Sequence, residues 1–404
     1  MQNSHHQLSL LLIVLFTLLQ LVVLLAFGYT PYPDSDGYIQ LAEECLAEHD
    51  LYPIAARLND YPFLWNIGSV NAVVLTLKLF HSVTPLLIAY SLMKGLTAAL
   101  FYQTAKAMAG ERVALIGLLL YMIYPANYGE GTSTLSELPF MFFTMTGLWL
   151  CIARKRFFAG GMAMALANWF RPMGIVFLLA VSIYLLYANR KKLFQPLLGY
   201  VAMIMVIGSL SALRTGLFLY QAKTGWMALT DYSTHHSEKS MAVRDNAEWN
   251  VSQKDAAWQS LFFDWLKEHP AEYAAQMPMK LVNTYVSDNV NMCTFIPGKS
   301  DKEYMYEEVS MATLMHAFPR FTAVQWLTVV NLLVYYLILL AALASLIYLK
   351  PGIHLFPVSC ILLGTLLLLL VGHGEARFHI PFMPFFMLLA AHFIHHAYGK
   401  GRVD

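Results

Sequence analysis

What this chain of 404 residues has least of is charge: 13% of it is Asp, Glu, Lys or Arg, against 58% hydrophobic residues. A soluble domain is about a quarter charged and roughly half apolar, so this balance excludes an ordinary water-soluble fold and places the chain in a bilayer. A surplus of either sign is missing too. The formal net charge of +1 gives no reason to expect nucleic acid or an acidic partner. Cysteine is scarce, with four in all, and neither a CxxC nor an HExxH zinc pattern occurs. Cys45 and Cys293 fall in segments expected outside the membrane, where a disulfide between them is an option that no spacing suggests; Cys151 and Cys360 fall in or beside spans. The histidines, His235-His236 included, show no ligand spacing, so no metal site is assigned and a divalent metal requirement stays open. Internal repeats and low-complexity runs are also missing.

What is plentiful is apolar length. Residues 8–27 form one apolar run with no charge, preceded by His5 and His6 but by no Lys or Arg. A secretory h-region runs about 7–15 residues, so this longer stretch reads as an uncleaved first span rather than a leader cut near Ala26-Phe27-Gly28. Either reading exports the segment after it. That segment, 29–60, is polar, with several prolines and a helix-like piece at 36–48. Apolar segments then recur at 63–80, 86–105, 113–127, 137–152, 157–170, 172–189, 194–220, 323–349, 352–371 and 378–398. A long polar interval, roughly 223–322, divides them. Inside it, 261–285 spaces Leu261, Phe262, Trp265, Tyr273, Leu281 and Tyr285 among charges, a pattern of helices lying on a membrane surface. The expected fold is an all-α polytopic membrane protein of about ten transmembrane helices with juxtamembrane helices on the outer face. Its parts are an N-terminal transmembrane module over 1–222 that includes a first outer loop (29–85), an outer loop over 223–322, and C-terminal transmembrane helices over 323–404.

Lys and Arg in short loops mark the cytoplasmic side. Arg154-Lys155-Arg156, Arg190-Lys191-Lys192, Lys350, Lys400-Gly401-Arg402 and the stretch 106–112 are therefore expected inside. The chain must cross twice between the first two clusters, which puts Arg171-Pro172 at an outer turn. The same counting puts 128–136, 223–322 and 372–377 outside. Parity then requires that 63–80, which carries Asn66, Asn71 and Lys78, lies on or partly in the membrane without spanning it; otherwise 106–112 is misplaced.

Charges at a membrane edge are costly and usually functional. On this topology Asp34, Asp36, Glu137, Arg171, Glu375 and Arg377 all fall on the non-cytoplasmic face, with His373 and His379 beside the last pair. Each also has a plain structural reading. Asp34-Ser35-Asp36-Gly37 suits a turn and helix N-cap; Glu137 suits a helix start, where a carboxylate complements the dipole; Arg171 can snorkel to headgroups. Glu375 and Arg377 are two apart and cannot share a helix face, so ion pairs elsewhere are open to them. Together the six describe one chemistry. A carboxylate can take a proton from an acceptor hydroxyl, and arginines can hold a phosphate leaving group through bidentate hydrogen bonds. Sugar transfer from a lipid phosphate needs both.

Several short motifs carry a resemblance. After the first span come Asp34-x-x-x-Tyr38, then Gln40-Leu41-Ala42, then Tyr61-Pro62 opening the next apolar segment. Pro125 and Ser136-Glu137 follow, then Arg171-Pro172, then Trp265-Leu266-Lys267-Glu268-His269-Pro270, and last Glu375-Ala376-Arg377-Phe378-His379-Ile380-Pro381. In this order the chain resembles, over nearly its whole length, the GT-C glycosyltransferases of the dolichyl-phosphate-mannose protein mannosyltransferase type (glycosyltransferase family 39) and their bacterial relatives. The resemblance implies a GT-C-like bundle in the cytoplasmic (inner) membrane, with its active site facing the periplasm or exterior. It implies inverting transfer of one sugar from a polyprenyl-phosphate donor to a lipid, glycan or protein acceptor. Asp34 matches the catalytic carboxylate, with Asp36 the neighbouring candidate, while Glu375 and Arg377 match a C-terminal element assigned to phosphate or headgroup contact. Relatives that transfer aminoarabinose carry a Lys where this chain has Tyr61, so the phosphate is expected to rest on Arg57 or Arg171 instead.

The chief alternative is a polytopic transporter or lipid-linked sugar flippase. Such proteins place polar residues near the midplane at a repeat interface, whereas these charges gather at one edge and no repeat is visible. A polymerase or ligase of surface glycans and a non-catalytic assembly partner are the remaining readings.

Overall fold

The computed structural model describes residues 2–50, 64–298, 302–348, 355–372 and 374–399. Arg57, the Tyr61-Pro62 pair, Lys350, His373 and the 400–404 tail lie outside the described residues. All regular structure within them is helical. Helix α1 (Gln2–Phe27) leads to α2 (Pro33–Ala47) and α3 (Ile67–Phe80). A bundle follows, made of α4 (Thr84–Ala109), α5 (Glu111–Ile123), α6 (Glu137–Ile152), α7 (Phe157–Phe170), α8 (Gly174–Ala188) and α9 (Phe194–Thr215). The polar interval forms α10 (Gly225–Thr234), α11 (Glu238–Arg244), α12 (Val251–Glu268), α13 (Pro270–Tyr285), α14 (Lys302–Glu308) and α15 (Met311–Ala317). Helices α16 (Ala323–Ser345), α17 (Leu355–Val371) and α18 (Met383–Gly399) return to the bundle.

Among the described residues five stretches are long and apolar enough to cross a membrane: His5–Phe27, Thr84–Ala109, Arg190–Thr215, Ala323–Tyr348 and Ala376–Ala397. A sixth is counted if the turns at Pro125–Thr132 and the helix Glu137–Ile152, bent by 112°, are one broken span. The chain is thus an all-α, multi-pass protein with fewer full-length crossings than its apolar runs predict. The reason is local. Helices α3, α7, α8 and α17 are apolar but hold 14, 14, 15 and 17 residues. At 1.5 Å per residue they reach about 21–26 Å, short of a hydrocarbon core about 30 Å thick. Arg171-Pro172 stops α7, because the residue before a proline is pushed out of the helical region; Arg171 has φ −154° and ψ 130°.

The large core is shared by α4, α5, α6, α8 and α18, with Phe101, Tyr121, Phe140, Phe177 and Met387 among its fully or nearly fully buried side chains. Without a hydrophobic drive between helices in lipid, close backbone approach holds them together. At the α7–α9 crossing a Cβ on Gly161 would sit 1.9 Å from the Pro196 carbonyl oxygen, and one on Gly199 would sit 1.9 Å from that of Phe158. Only glycine fits either position. All four cysteines are buried thiols, so Cys45 and Cys293 are not bridged; they pack in different clusters.

Helix α2 packs Tyr38, Leu41, Ala42 and Cys45 against Val70, Val73 and Val74 of α3. Its N-cap is Tyr32, which makes no side-chain cap bond, and Pro33 lies in its first turn. The N-cap reading of Asp34 and Asp36 is therefore corrected: both lie inside the first turn, where the dipole favours an anion, and their oxygens serve other partners. The 261–285 stretch becomes the end of α12 and all of α13. Leu229, Phe262 and Tyr273 form a small core there, while α13 exposes Met279, Leu281 and Val282. The Tyr273 hydroxyl donates to the Leu370 carbonyl at 2.6 Å, which ties this layer to the end of α17.

Candidate functional site

A buried ion in a chain this apolar must be paired. Glu137 opens α6 with its side chain 5% exposed, and Arg171, one helix pair later, returns to the same end of the bundle. Their contact is 2.6 Å, Nη1 to Oε1. Arg171 also donates to Ser136 Oγ at 3.3 Å, and its guanidinium lies 5.1 Å from the centre of the Phe378 ring. It points inward, so the snorkelling reading is corrected.

Arg377 comes from the other end of the chain, on the tight 3-10 segment Ala376–Phe382 that precedes α18. Its Nη1 lies 2.6 Å from Asp34 Oδ2, and its Nε lies 2.7 Å from Glu375 Oε1 and 3.9 Å from Glu137 Oε1. Five side chains named from the sequence are thereby joined: Asp34, Glu137, Arg171, Glu375 and Arg377. Three carboxylates against two guanidinium groups leave one formal negative charge. Among the described residues Asp36 has a different partner. Its Oδ1 accepts the Tyr29 hydroxyl at 2.7 Å, and burial, together with that carboxylate, pushes the Tyr29 phenol well above its usual range. Arg57 and Tyr61 fall outside the described residues.

Neutral groups, which the sequence named as motif positions (Tyr38, Ser136) or as a polar residue of 63–80 (Asn66) but not as site residues, complete the cluster. Asn66 Nδ2 donates to the Tyr38 hydroxyl at 2.7 Å and to Ser136 Oγ at 3.1 Å. Burial raises the Tyr38 phenol well above its ordinary value, and the charges of Asp34 and Glu137 raise it further, so it stays protonated. Gly37 makes room for this arrangement, since a Cβ there would sit 2.1 Å from the Trp65 ring. A cavity of about 320 Å³ opens beside the cluster. Asp34, Asn66, Arg171 and Arg377 form its polar wall; Met173, Met227, Leu368 and Val371 contribute apolar lining.

Two further buried sets escaped the sequence reading. Lys94 of α4 meets Glu130 at 2.5 Å and donates to Asn127 Oδ1 at 3.0 Å; Gln20 of α1 donates to the Asn127 carbonyl at 3.2 Å. A lysine inside a 26-residue apolar helix was the available signal. Asp288, 1% exposed, accepts the Tyr124 hydroxyl and faces His379 Nε2 at 3.9 Å. In a polar interval an aspartate draws no attention, so nothing in the sequence marked it. Among the described residues no group of three or more His, Cys, Asp or Glu side chains is arranged to hold a metal ion; His236 lies 3.6 Å from Asp231 only.

No protein-family model and no curated protein matches the chain. Among solved structures it is similar to ArnT from Cupriavidus metallidurans bound to undecaprenyl phosphate, at 14% identity and a TM-score of 0.41, with 96% of this chain and 78% of that one covered. The apo state of the same protein gives 14% identity and a TM-score of 0.41, covering 94% of this chain and 76% of that one.

Proposed function

We propose that this chain is an inverting GT-C-type glycosyltransferase, moving a sugar from a polyprenyl-phosphate donor to an acceptor at the outer face of the cytoplasmic membrane. The observation that carries the reading is the Asp34–Arg377 contact, joined through Glu137 to Arg171, on the wall of a cavity whose lining is otherwise largely apolar. The motif resemblance supports the same reaction class. The basic loop Arg154-Lys155-Arg156 sits at the end of α6 and α7 opposite Glu137 and Arg171, which supports an outward-facing site. The short apolar helices would complete the membrane layer beside the full-length spans, with α3 lying along its edge.

The chemistry follows from the donor's charge. A sugar on a polyprenyl phosphate is a diester with one negative charge; the departing monoester carries one more. Charge develops on the leaving oxygens in the transition state, and prearranged guanidinium donors in a dry site stabilise it there. Arg377 already holds Asp34. A donor phosphate that takes up Arg377 frees the Asp34 carboxylate to accept a proton from the acceptor hydroxyl. The acceptor oxygen then bonds to the anomeric carbon, the carbon–oxygen bond to phosphate breaks with its electron pair on the phosphate, and the proton rests on Asp34. A single displacement inverts the anomeric centre. Glu137 fixes Arg171 and shares Arg377, and the apolar lining leaves the prenyl tail among hydrocarbon.

The test is direct. Purified protein in lipid nanodiscs, given polyprenyl-phosphate sugars and an extract of envelope acceptors, is expected to release polyprenyl monophosphate and label an acceptor. Movement of intact donor across the bilayer without cleavage would instead identify a flippase. Absence of both would remove the proposal.

A further inference from the structure

His379 sits two residues after Arg377 on the same 3-10 segment and is fully buried. Its ring nitrogens can be assigned from their neighbours. Nδ1 lies 2.6 Å from the Thr284 carbonyl oxygen, an acceptor only, so Nδ1 carries a hydrogen. In a neutral imidazole Nε2 is then a bare lone pair, yet it faces Asp288 Oδ2 at 3.9 Å. A lone pair set against a carboxylate, with both side chains buried, is repulsive.

Among the described residues no neighbouring side-chain donor relieves this. The imidazole lies between the rings of Tyr285 and Tyr335, at centroid distances of 5.5 and 5.2 Å. Both phenols are engaged elsewhere: Tyr335 donates to the Tyr285 carbonyl at 2.9 Å, and the Tyr285 hydroxyl bonds Thr365 Oγ1 at 2.6 Å. The Tyr124 hydroxyl is committed to Asp288 itself. Among the described residues His379 Nε2 and Asp288 Oδ1 have no hydrogen-bond partner. The Asp288 main chain is anchored, because Asn331 Nδ2 donates to its backbone carbonyl at 2.7 Å while Asn331 Oδ1 accepts the Ala126 N–H at 2.9 Å. A hydrogen placed between Nε2 and the facing Asp288 Oδ2 removes the repulsion.

We infer that Asp288 and His379 hold one proton between them and that this buried pair positions Arg377. With the proton present, the imidazole is pinned on both sides, to Thr284 and to Asp288, and the segment that presents Arg377 to Asp34 has a fixed register. Without it, the same two groups push the segment off its seat. The turnover consequence rests on the transferase reading; the proton itself does not.

Two measurements separate these. In histidine-labelled protein in bilayers near pH 7, the ¹⁵N signal that His379→Gln removes should report both ring nitrogens protonated. Failing that, a protonated-carboxyl stretch should be present in the infrared spectrum and vanish in Asp288→Asn. A bare Nε2 with no such band overturns the inference, whatever the protein catalyses. For positioning, the amide of Asp288→Asn can donate to Nε2 at any pH. That variant should keep its turnover and lose the decline that wild type shows as alkali strips the shared proton. Asp288→Ala should lose turnover by on the order of 100-fold, as expected for a displaced catalytic group. Identical pH profiles for wild type and Asp288→Asn would show that the pair does not position Arg377.

Discussion

Arg377 Nη1 lies 2.6 Å from Asp34 Oδ2, a contact between the first turn of α2 and the segment before α18. Arg377 also serves Glu375 and Glu137, so it is the shared counter-ion of three carboxylates. Arg377→Met is expected to lower stability by about 3 kcal/mol, because stranding buried charge costs more than the pair gains. Arg377→Lys should recover little of it, since a point charge cannot bridge several carboxylates as a planar fork does. Thermal unfolding of the purified variants checks this; a lysine variant as stable as wild type speaks against the shared role.

Glu137 and Arg171 are coupled across the α6–α7 pair at 2.6 Å, both side chains nearly buried. Glu137→Gln and Arg171→Gln should each destabilise, and the double variant should lose less than their sum, with a coupling of about 1–3 kcal/mol. Additive losses would mean that the contact contributes nothing of its own.

The α7–α9 crossing predicts a steric outcome. Gly199→Val places a side chain against the Phe158 backbone, where no rotamer avoids the 1.9 Å approach. A loss of about 1–3 kcal/mol or more is expected from overpacking. Gly225→Ala is the control, since nothing lies within 4 Å of its added carbon. It should stay within about 0.5 kcal/mol of wild type.

Lys280 offers a pH test outside the membrane-spanning helices. Its side chain is buried, with Nζ 4.8 Å from the Tyr273 ring and 5.2 Å from the Tyr232 ring and a 3.4 Å bond to the Leu369 carbonyl. Burial pulls its pKa from 10.5 down to about 8. Between those values the unfolded lysine binds more protons than the folded one, so stability rises with pH across that window. Lys280→Met removes the cost of a buried ammonium and should raise Tm at pH 7 by roughly 2–4 °C. The gain should shrink as pH climbs from about 8 toward 10.5. A gain that is constant with pH would place its origin in packing instead.

The grouping of Asp34, Glu137, Arg171 and Arg377 was legible because charge is expensive in lipid and basic loops fix which ends of the helices share a side. Tyr38 and Ser136 were visible as motif positions and Asn66 as a polar residue of 63–80, but their place as partners of the charges was not, since a lone amide or hydroxyl carries no such cost in a sequence. Lys94 was readable in principle, but its acid, Glu130, lies beyond a bend that periodicity does not announce. Helix lengths were the weakest point. The break at Arg171-Pro172 between 157–170 and 172–189 is legible, but by composition each segment counts as a crossing, although helices of 14 and 15 residues fall short of a full span. Asp36 looked as reactive as Asp34; what separates them is that Tyr29 faces one and Arg377 the other.

Asp34 is the group proposed to take the acceptor's proton. Donor affinity and single-turnover rate measured side by side for wild type and Asp34→Asn test it most directly. The predicted result is donor binding within a few fold of wild type, with transfer slowed by about 100-fold or more. Equal transfer rates in the two proteins would contradict it.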